Sequence, residues 1–411
     1  MANTLLTLGM ITREAAMVLE NNIKVVGQIS KEYSDQFGRD GAKIGSVVNV
    51  RKPPRYLGRT GQALSLEDAT ESSVPLTLTT QFGVDITFTT ADLALNIDDF
   101  SKRFIMPAIK AIANKVDFDS TLLYQTVYNT IGTPGVTPNA LLTYLQVNQR
   151  LNEEACPVPG RNINITPGMQ AIIVDALKGL FQDSSAIGSQ YRSGAMNKQA
   201  LGFENWYMDQ NLRTHVVGAL GGTPTVNGAG QTGASLITQA WSNSITNILN
   251  RGDVFTIGSG ATGVFAVNPQ NRQNTGALRQ FVVTAPCTSS GAGAVTIPIS
   301  PAIVTSGPFQ NVTGQTGAIT GPANAATINV LGAANTNTPQ GLAFVEDAFM
   351  MATADLPLPN GVDMKDRQNY KGMSIRLIRN YDINSDREPC RTDILYGLSA
   401  LYPELCCRIA S

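Results

Sequence analysis

The sequence predicts an α+β fold with a separate antiparallel β-barrel domain set into it, and three stretches carry that prediction. The run from Asp98 to Thr130 has a helical apolar stripe. The run from Lys43 to Phe88 reads as two extended arms joined by an irregular tip. Between Val216 and Ala343 the chain almost loses its charge: only Arg251, Asp253, Arg272 and Arg279 are charged among 128 residues, while the other 283 positions hold 57 of the 61 charges. That middle stretch also holds 19 of the 38 glycines, so it has its own design.

The helical stripe is read from spacing. Ile105, Ile109, Ile112, Val116, Leu123 and Val127 stand at steps of four, three, four, seven and four, which places them on one face of a helix. Lys102, Lys110, Asn114, Lys115, Asp117 and Gln125 take other sectors, so the predicted helix is amphipathic. Asp98 and Asp99 suit its N-terminus, as cap and as charge against the dipole. Pro107 predicts a kink or a restart, because proline bars the helical hydrogen bond and restrains Met106 before it.

In chain order, Thr12 to about Gln28 predicts a modest terminal helix with Ala15, Val18, Leu19, Ile23 and Val26 as its apolar face. Ile44–Val50 then leads into the tip, and Leu76, Leu78, Val84, Ile86 and Phe88 alternate on the return. Pro53, Pro54, Gly58 and Gly61 exclude a compact helix between the arms. The tip segregates its charge: Arg51, Lys52, Arg55 and Arg59 come first, Glu67, Asp68 and Glu71 after them. Such a hairpin can reach a neighbouring subunit and set its register electrostatically, and these seven residues are the candidate contact site. Read blandly, it is a solvated surface hairpin whose ion pairs contribute little.

Beyond the long helix, residues 139–152 predict a helix, Asn162–Thr166 a strand and Pro167–Leu180 a helix with proline in its first turn. In the charge-poor stretch, Val254–Ile257, Val264–Val267, Gln280–Thr284, Ala294–Ile299, Ala302–Thr305 and Thr327–Leu331 read as short strands between turns. Mixed composition returns from Leu342, with strand-like runs at Tyr370–Asp382 and Thr392–Ile409. A β module flanked on both sides by α+β segments is the pattern of an insertion.

Composition narrows function. Charged residues are 15% of the chain against about 25% for typical soluble domains, which suggests burial against other copies. A net charge of -1 advertises neither nucleic-acid nor membrane binding, and no run of about 18 apolar residues exists. The only histidine, His215, lies in an apolar strand-like run, so a multi-histidine metal site is excluded and a structural role is expected. Cys156, Cys287, Cys390, Cys406 and Cys407 are odd in number and irregularly spaced, which argues for reduced thiols rather than a disulfide framework. Two G-x-G-x-x-G matches, Gly228–Gly233 and Gly258–Gly263, lack the strand-loop-helix setting of a dinucleotide site and read as turns. Arg251-Gly252-Asp253 reads as a turn entering a strand rather than an adhesion tripeptide. No catalytic, cofactor or metal residue is assigned.

Four blocks carry a resemblance. Phe88–Asp119 resembles the strand-to-spine-helix segment of tailed-bacteriophage major capsid proteins, and Ile44–Tyr56 the start of their extended loop. Arg251–Ala285 resembles the inserted domain of the branch typified by the P-22 phage coat protein, and Asp393–Ile409 its closing strands. The resemblance implies an HK-97-like capsid fold with an N-terminal arm (1–40), an extended loop (41–88) and a peripheral domain with the spine helix (89–135). It further implies an axial domain in two parts (136–218 and 342–392), the inserted β domain (219–341) and C-terminal strands returning to the core (393–411). Implied with it are icosahedral assembly into hexamers and pentamers, a scaffolding protein, a portal, enclosed DNA without sequence-specific binding, and a place in the virion capsid after assembly in the host cytoplasm. Lys52 is the only loop lysine and no partner for it is identifiable, so the cross-linking of some relatives is not carried over. The competing readings are a phage tail or surface-array protein, and a hydrolase with an unrecognised site.

Overall fold

The computed structural model describes residues 23–33, 45–64, 66–89, 106–177, 199–317, 319, 321–370, 372–384 and 387–411. The architecture is mixed α+β, and the chain divides into two compact units.

The first unit takes Met1–Lys52, Ser73–Thr121 and Phe349–Leu401. Its centre is the 14-residue strand Arg387–Ala400. One edge of that strand pairs antiparallel with Thr80–Thr89, from Arg387↔Thr89 to Tyr396↔Thr80. The other edge takes Met373–Arg379 and Phe349–Ala354, and Met364–Tyr370 extends the sheet. Met373, Ile375 and Leu377 alternate into the core, as their period of two requires. Strands Val47–Lys52 and Ser72–Thr77 form a two-stranded ribbon, continued by paired backbone bonds between Gly45, Ser46 and Leu78. Gly397 is where this region packs closest: a Cβ there would lie 2.1 Å from the Thr77 carbonyl oxygen.

Helix α1, Met106–Ser120, packs on the Thr80–Thr89 and Arg387–Ala400 strands. Ile109, Ile112 and Val116 are fully buried, each contributing roughly 1.5–3 kcal/mol by leaving water. The helical stripe is therefore correct in its face but not in its length. The α-helix ends at Ser120, Thr121–Thr126 is a 3-10 segment, and Thr130 opens a strand. The hydroxyls of Ser120, Thr121 and Thr126 donate to the carbonyls of Asp117, Phe118 and Leu123, three residues back, which suits the tighter turn. Leu123 and Val127 stay buried, so the apolar face outlasts the α-helix. The predicted start at Asp98 and Asp99 lies outside the described residues.

Asp117 also departs from its expected exposed sector. It is buried and accepts the backbone N–H groups of Lys24 (3.2 Å) and Val26 (3.1 Å). That capture corrects the last turns of the predicted Thr12–Gln28 helix: residues 23–25 bend and Val26–Gln28 is a 3-10 turn. The rest of that helix, and most of the predicted arm, lie outside the described residues.

The second unit takes Pro53–Ser72, Leu122–Ala348 and Tyr402–Ser411. One six-stranded sheet runs Thr130–Gly132, Cys406–Ala410, Asn337–Phe344, Asn162–Ile165, Asn205–Met208, with Thr214–Val216 on the leading end of Asn337–Phe344. Helix α2, Leu141–Glu153, buries Tyr144, Val147 and Leu151 at steps of three and four, and α3 covers Pro167–Leu177.

The charge-poor stretch supplies a second six-stranded sheet, all antiparallel, in the order Ile328–Val330, Val254–Ile257, Gln280–Val283, Val295–Ile303, Gly233–Trp241, Gly222–Val226. Its two outer strands meet through a Thr225↔Thr327 bridge and paired bonds between Val226 and residues 325–326. A third sheet joins Asn274–Leu278, Phe265–Val267 and Val312–Thr313. Phe255, Phe281, Leu236, Ile257, Ile297 and Val283 centre the core they enclose.

Candidate functional site

The seven predicted contact residues sit in and beside the ribbon. Arg51 is exposed and Lys52 half-buried on the outgoing strand, while Arg55, Arg59, Glu67, Asp68 and Glu71 are exposed in residues 53–71, where the described residues form no regular element. Local bonds give this segment its path. Glu67 Oε2 accepts the Leu57 N–H at 2.8 Å, and the Arg59 guanidinium donates to the Gly61 carbonyl. Arg55 pairs with Glu404 at 3.5 Å and lies 5.6 Å from the Phe309 ring centroid. The structure thus ties the two sides of the tip through the Leu57 backbone and the Glu67 carboxylate, and it gives Arg55 a partner that the sequence did not suggest. Apolar side chains share this surface: Leu64 is 78% and Leu66 85% exposed, with Tyr56 and Leu57 also open to solvent.

A second arrangement was missed by the sequence reading. His215, in strand Thr214–Val216, is buried; its Nε2 lies 2.8 Å from Asp253 Oδ1 and its Nδ1 3.1 Å from the Tyr124 hydroxyl. Asp253 Oδ2 accepts backbone N–H groups of Asn250 (2.7 Å) and Gly218 (3.1 Å), so its buried charge is fully engaged. Burial pushes the Tyr124 hydroxyl up, away from the phenolate form. This His–Asp–Tyr chain is a structural brace. The same bonds remove Arg251-Gly252-Asp253 from consideration as an adhesion motif, since Asp253 is not presented to solvent. Gly252 has φ +97°, and a Cβ there would stand 3.3 Å from the imidazole, so the turn needs glycine.

Two further links lie along the same seam. Gln280 exchanges 2.8 Å bonds with the Thr130 backbone in both directions. Arg279 pairs with Glu154 at 2.5 Å and lies 4.6 Å from the Tyr128 ring centroid, all of them buried. Desolvation raises the Glu154 carboxyl, against the pull of Arg279. Two of the four charges in the charge-poor stretch, Asp253 and Arg279, are thus buried against residues from outside it. Their rarity in that stretch was the available signal.

The other candidates resolve into structure. Gly228–Gly233 is the turn between two strands, and Gly258–Gly263 leads through a 3-10 turn into Phe265–Val267. All five cysteines are buried and free. Burial pushes Cys406 well up and Cys407 to about 12, holding both as thiols. Among the described residues no cluster of three or more His, Cys, Asp or Glu residues is placed to hold a metal ion, and no helix is long and apolar enough to cross a membrane.

The P22 coat protein family (gene protein 5) matches residues 21–408, and the chain belongs to that family. It is a phage major capsid protein, a component that forms the shell. No curated protein matches. Solved structures similar to it include one from Mycobacterium phage Che8, at 10% identity and TM-score 0.46, covering 94% of this chain and 90% of the other. The capsid of cyanophage P-SCSP1u is similar at 11% identity and TM-score 0.43, covering 89% and 83%. The mature capsid of bacteriophage PhiM1 is similar at 8% identity and TM-score 0.41, covering 91% and 83%.

Proposed function

We propose that this chain takes the HK-97-like capsid fold and assembles with copies of itself, as hexamers and pentamers, into an icosahedral shell that encloses phage DNA. The observation that carries the reading is the coat-family match, which runs from residue 21 to residue 408. In this reading α1 is part of the spine helix of a peripheral domain at 89–135. Residues 136–218 and 342–392 form the axial domain, and 219–341 is an inserted β-barrel. The meeting of that region's outer strands at Thr225 and Thr327 supports the barrel.

The extended loop at 41–88 is the inter-subunit element, with Arg51, Lys52, Arg55, Arg59, Glu67, Asp68 and Glu71 setting its register on a neighbour. Its exposed Leu64 and Leu66 support that role, because a neighbour would cover them. The protein performs no catalysis. In support, the one His–Asp pair is buried and the hydroxyl beside it is held protonated. A scaffolding protein and a portal complete the assembly, which takes place in the host cytoplasm.

Electron microscopy of the purified protein, alone and with a scaffolding partner, tests the reading. Closed isometric shells are expected. Flat sheets or tubes would favour a surface-array or tail protein, and monomers under every assembly condition would defeat the proposal.

A further inference from the structure

One buried group in the second unit is left in an unusual state. Arg408, on strand Cys406–Ala410, is 2% exposed, yet among the described residues no carboxylate pairs with it. Its Nη2 donates to the Gly252 carbonyl at 2.9 Å and its Nε to Thr130 Oγ1 at 3.2 Å. Asp253, the acid of this neighbourhood, is already taken up by His215, Gly218 and Asn250. On the adjoining strand Asn337–Phe344, two more buried atoms stand without a protein partner: Thr338 Oγ1 and Gln340 Oε1. The Gln340 amide is fixed by its own N–H, which donates to the Thr338 carbonyl at 3.1 Å.

These groups converge. Arg408, Thr338, Gln340, Thr130, His215 and Gly252 line one cavity with about 10 Å³ open to the centre of a water-sized sphere. That is close to the room one water needs. Unpaired buried acceptors are costly, so an occupant that satisfies them is strongly favoured. The chemistry of the lining selects it. Gln340 Oε1 only accepts, so the occupant must donate. The guanidinium only donates, so the occupant must also accept. A halide ion cannot donate, and a metal cation is repelled by the arginine. Water meets both demands, and the Thr338 hydroxyl can exchange a bond with it in either direction.

We propose that this cavity is a built site for a single ordered water bridging Arg408, Gln340 Oε1 and Thr338 Oγ1. The water extends the brace: it ties the C-terminal strand and strand Asn337–Phe344 to the Gly252 turn, where the charge-poor module is anchored.

The direct test is a density map of the assembled wild-type protein at a resolution that shows ordered waters elsewhere. A peak within hydrogen-bonding distance of Gln340 Oε1 and the Arg408 guanidinium is expected; an empty site in such a map overturns the proposal. Gln340→Met supplies a test by sign. With a water in place the substitution strands it and also removes the amide's bond to the Thr338 carbonyl, so the folded-to-unfolded ratio falls by more than loss of that one bond, about five- to thirty-fold, read as a lower urea midpoint. A raised midpoint would mean that Oε1 was bare, and would overturn the proposal. Replacing chloride by acetate at fixed ionic strength should leave the wild-type midpoint unchanged. A midpoint that climbs with chloride assigns the site to an anion and overturns it too. If Gln340→Met does not fold, the wild-type map and the halide series still decide.

Discussion

The loop tip at 53–71 and the seam around His215, Asp253 and Arg279 use charge in opposite ways. The tip is rich in charge and keeps it at the surface: its ion pair to the body of the unit, Arg55–Glu404, spans 3.5 Å with the arginine 42% exposed. The seam has few charges, and there Asp253 and Arg279 are buried and paired with His215 and Glu154. Exposed pairs are screened and contribute at most about 1 kcal/mol, whereas removing one partner of a buried pair leaves a stranded charge that costs several. Count of charges is therefore a poor guide to where charge holds the subunit together. The four charges in 128 residues include two that are buried and paired, Asp253 and Arg279, while the tip keeps most of its charge at the surface.

The sharpest way to break this contrast is at Glu154. Glu154→Leu alone should destabilise the subunit by about 3–5 kcal/mol, because Arg279 would remain buried against Tyr128 without its counter-ion. The double substitution Glu154→Leu with Arg279→Met should recover most of that loss. Urea unfolding of the single and double variants measures both. If the single variant cost no more than a surface substitution, the seam would not be the anchor described.

A smaller effect is expected from alkali. Burial pushes Cys407 to about 12, above the ordinary thiol value of 9.0 expected in the unfolded chain. A thiol whose folded value is raised binds its proton more tightly when folded. Its contribution is therefore complete below about pH 9 and is lost as pH rises through about 12. Unfolding midpoints followed from pH 8 upward should fall, and Cys407→Ala, compared with itself across the same range, should fall less steeply. Equal slopes would remove Cys407 from the account.

Much of the fold was legible because it rests on local periodicity. The stripe Ile109, Ile112 and Val116 identified the buried face of α1, and the alternation of Met373, Ile375 and Leu377 identified a strand. The helix end was not legible, because Leu123 and Val127 continue the same spacing. Only the back-bonding hydroxyls of Ser120, Thr121 and Thr126 separate a 3-10 continuation from an α-helical one. The seam was illegible for a different reason. Asp253 meets His215 across 38 residues, Arg279 meets Glu154 across 125, and Arg408 meets Gly252 across 156. Composition singled out Asp253 and Arg279 as rarities, but nothing local could name their partners.

The tip supplies the smallest expected change in stability and the clearest separation of the two roles. Arg55→Glu with Arg59→Glu removes one exposed ion pair, one cation–ring contact and the exposed bond from Arg59 to the Gly61 carbonyl within the subunit. Together these contribute about 1 kcal/mol or less after solvent screening. In the proposed assembly, reversing these two charges puts like charge against like where a complementary potential sets register and rate of encounter. The unfolding midpoint should move little while assembly, followed by light scattering and checked by electron microscopy, slows or fails. Raising ionic strength should narrow the gap between wild type and variant, because the exposed charges concerned are screened within about 10 Å at 0.1 M salt. Normal shells from the double variant would mean that Leu64 and Leu66, not the charges, carry the loop's contacts. A midpoint as low as that of Glu154→Leu would mean that Arg55 belongs with the seam, as part of what folds the subunit rather than of what joins it to the next.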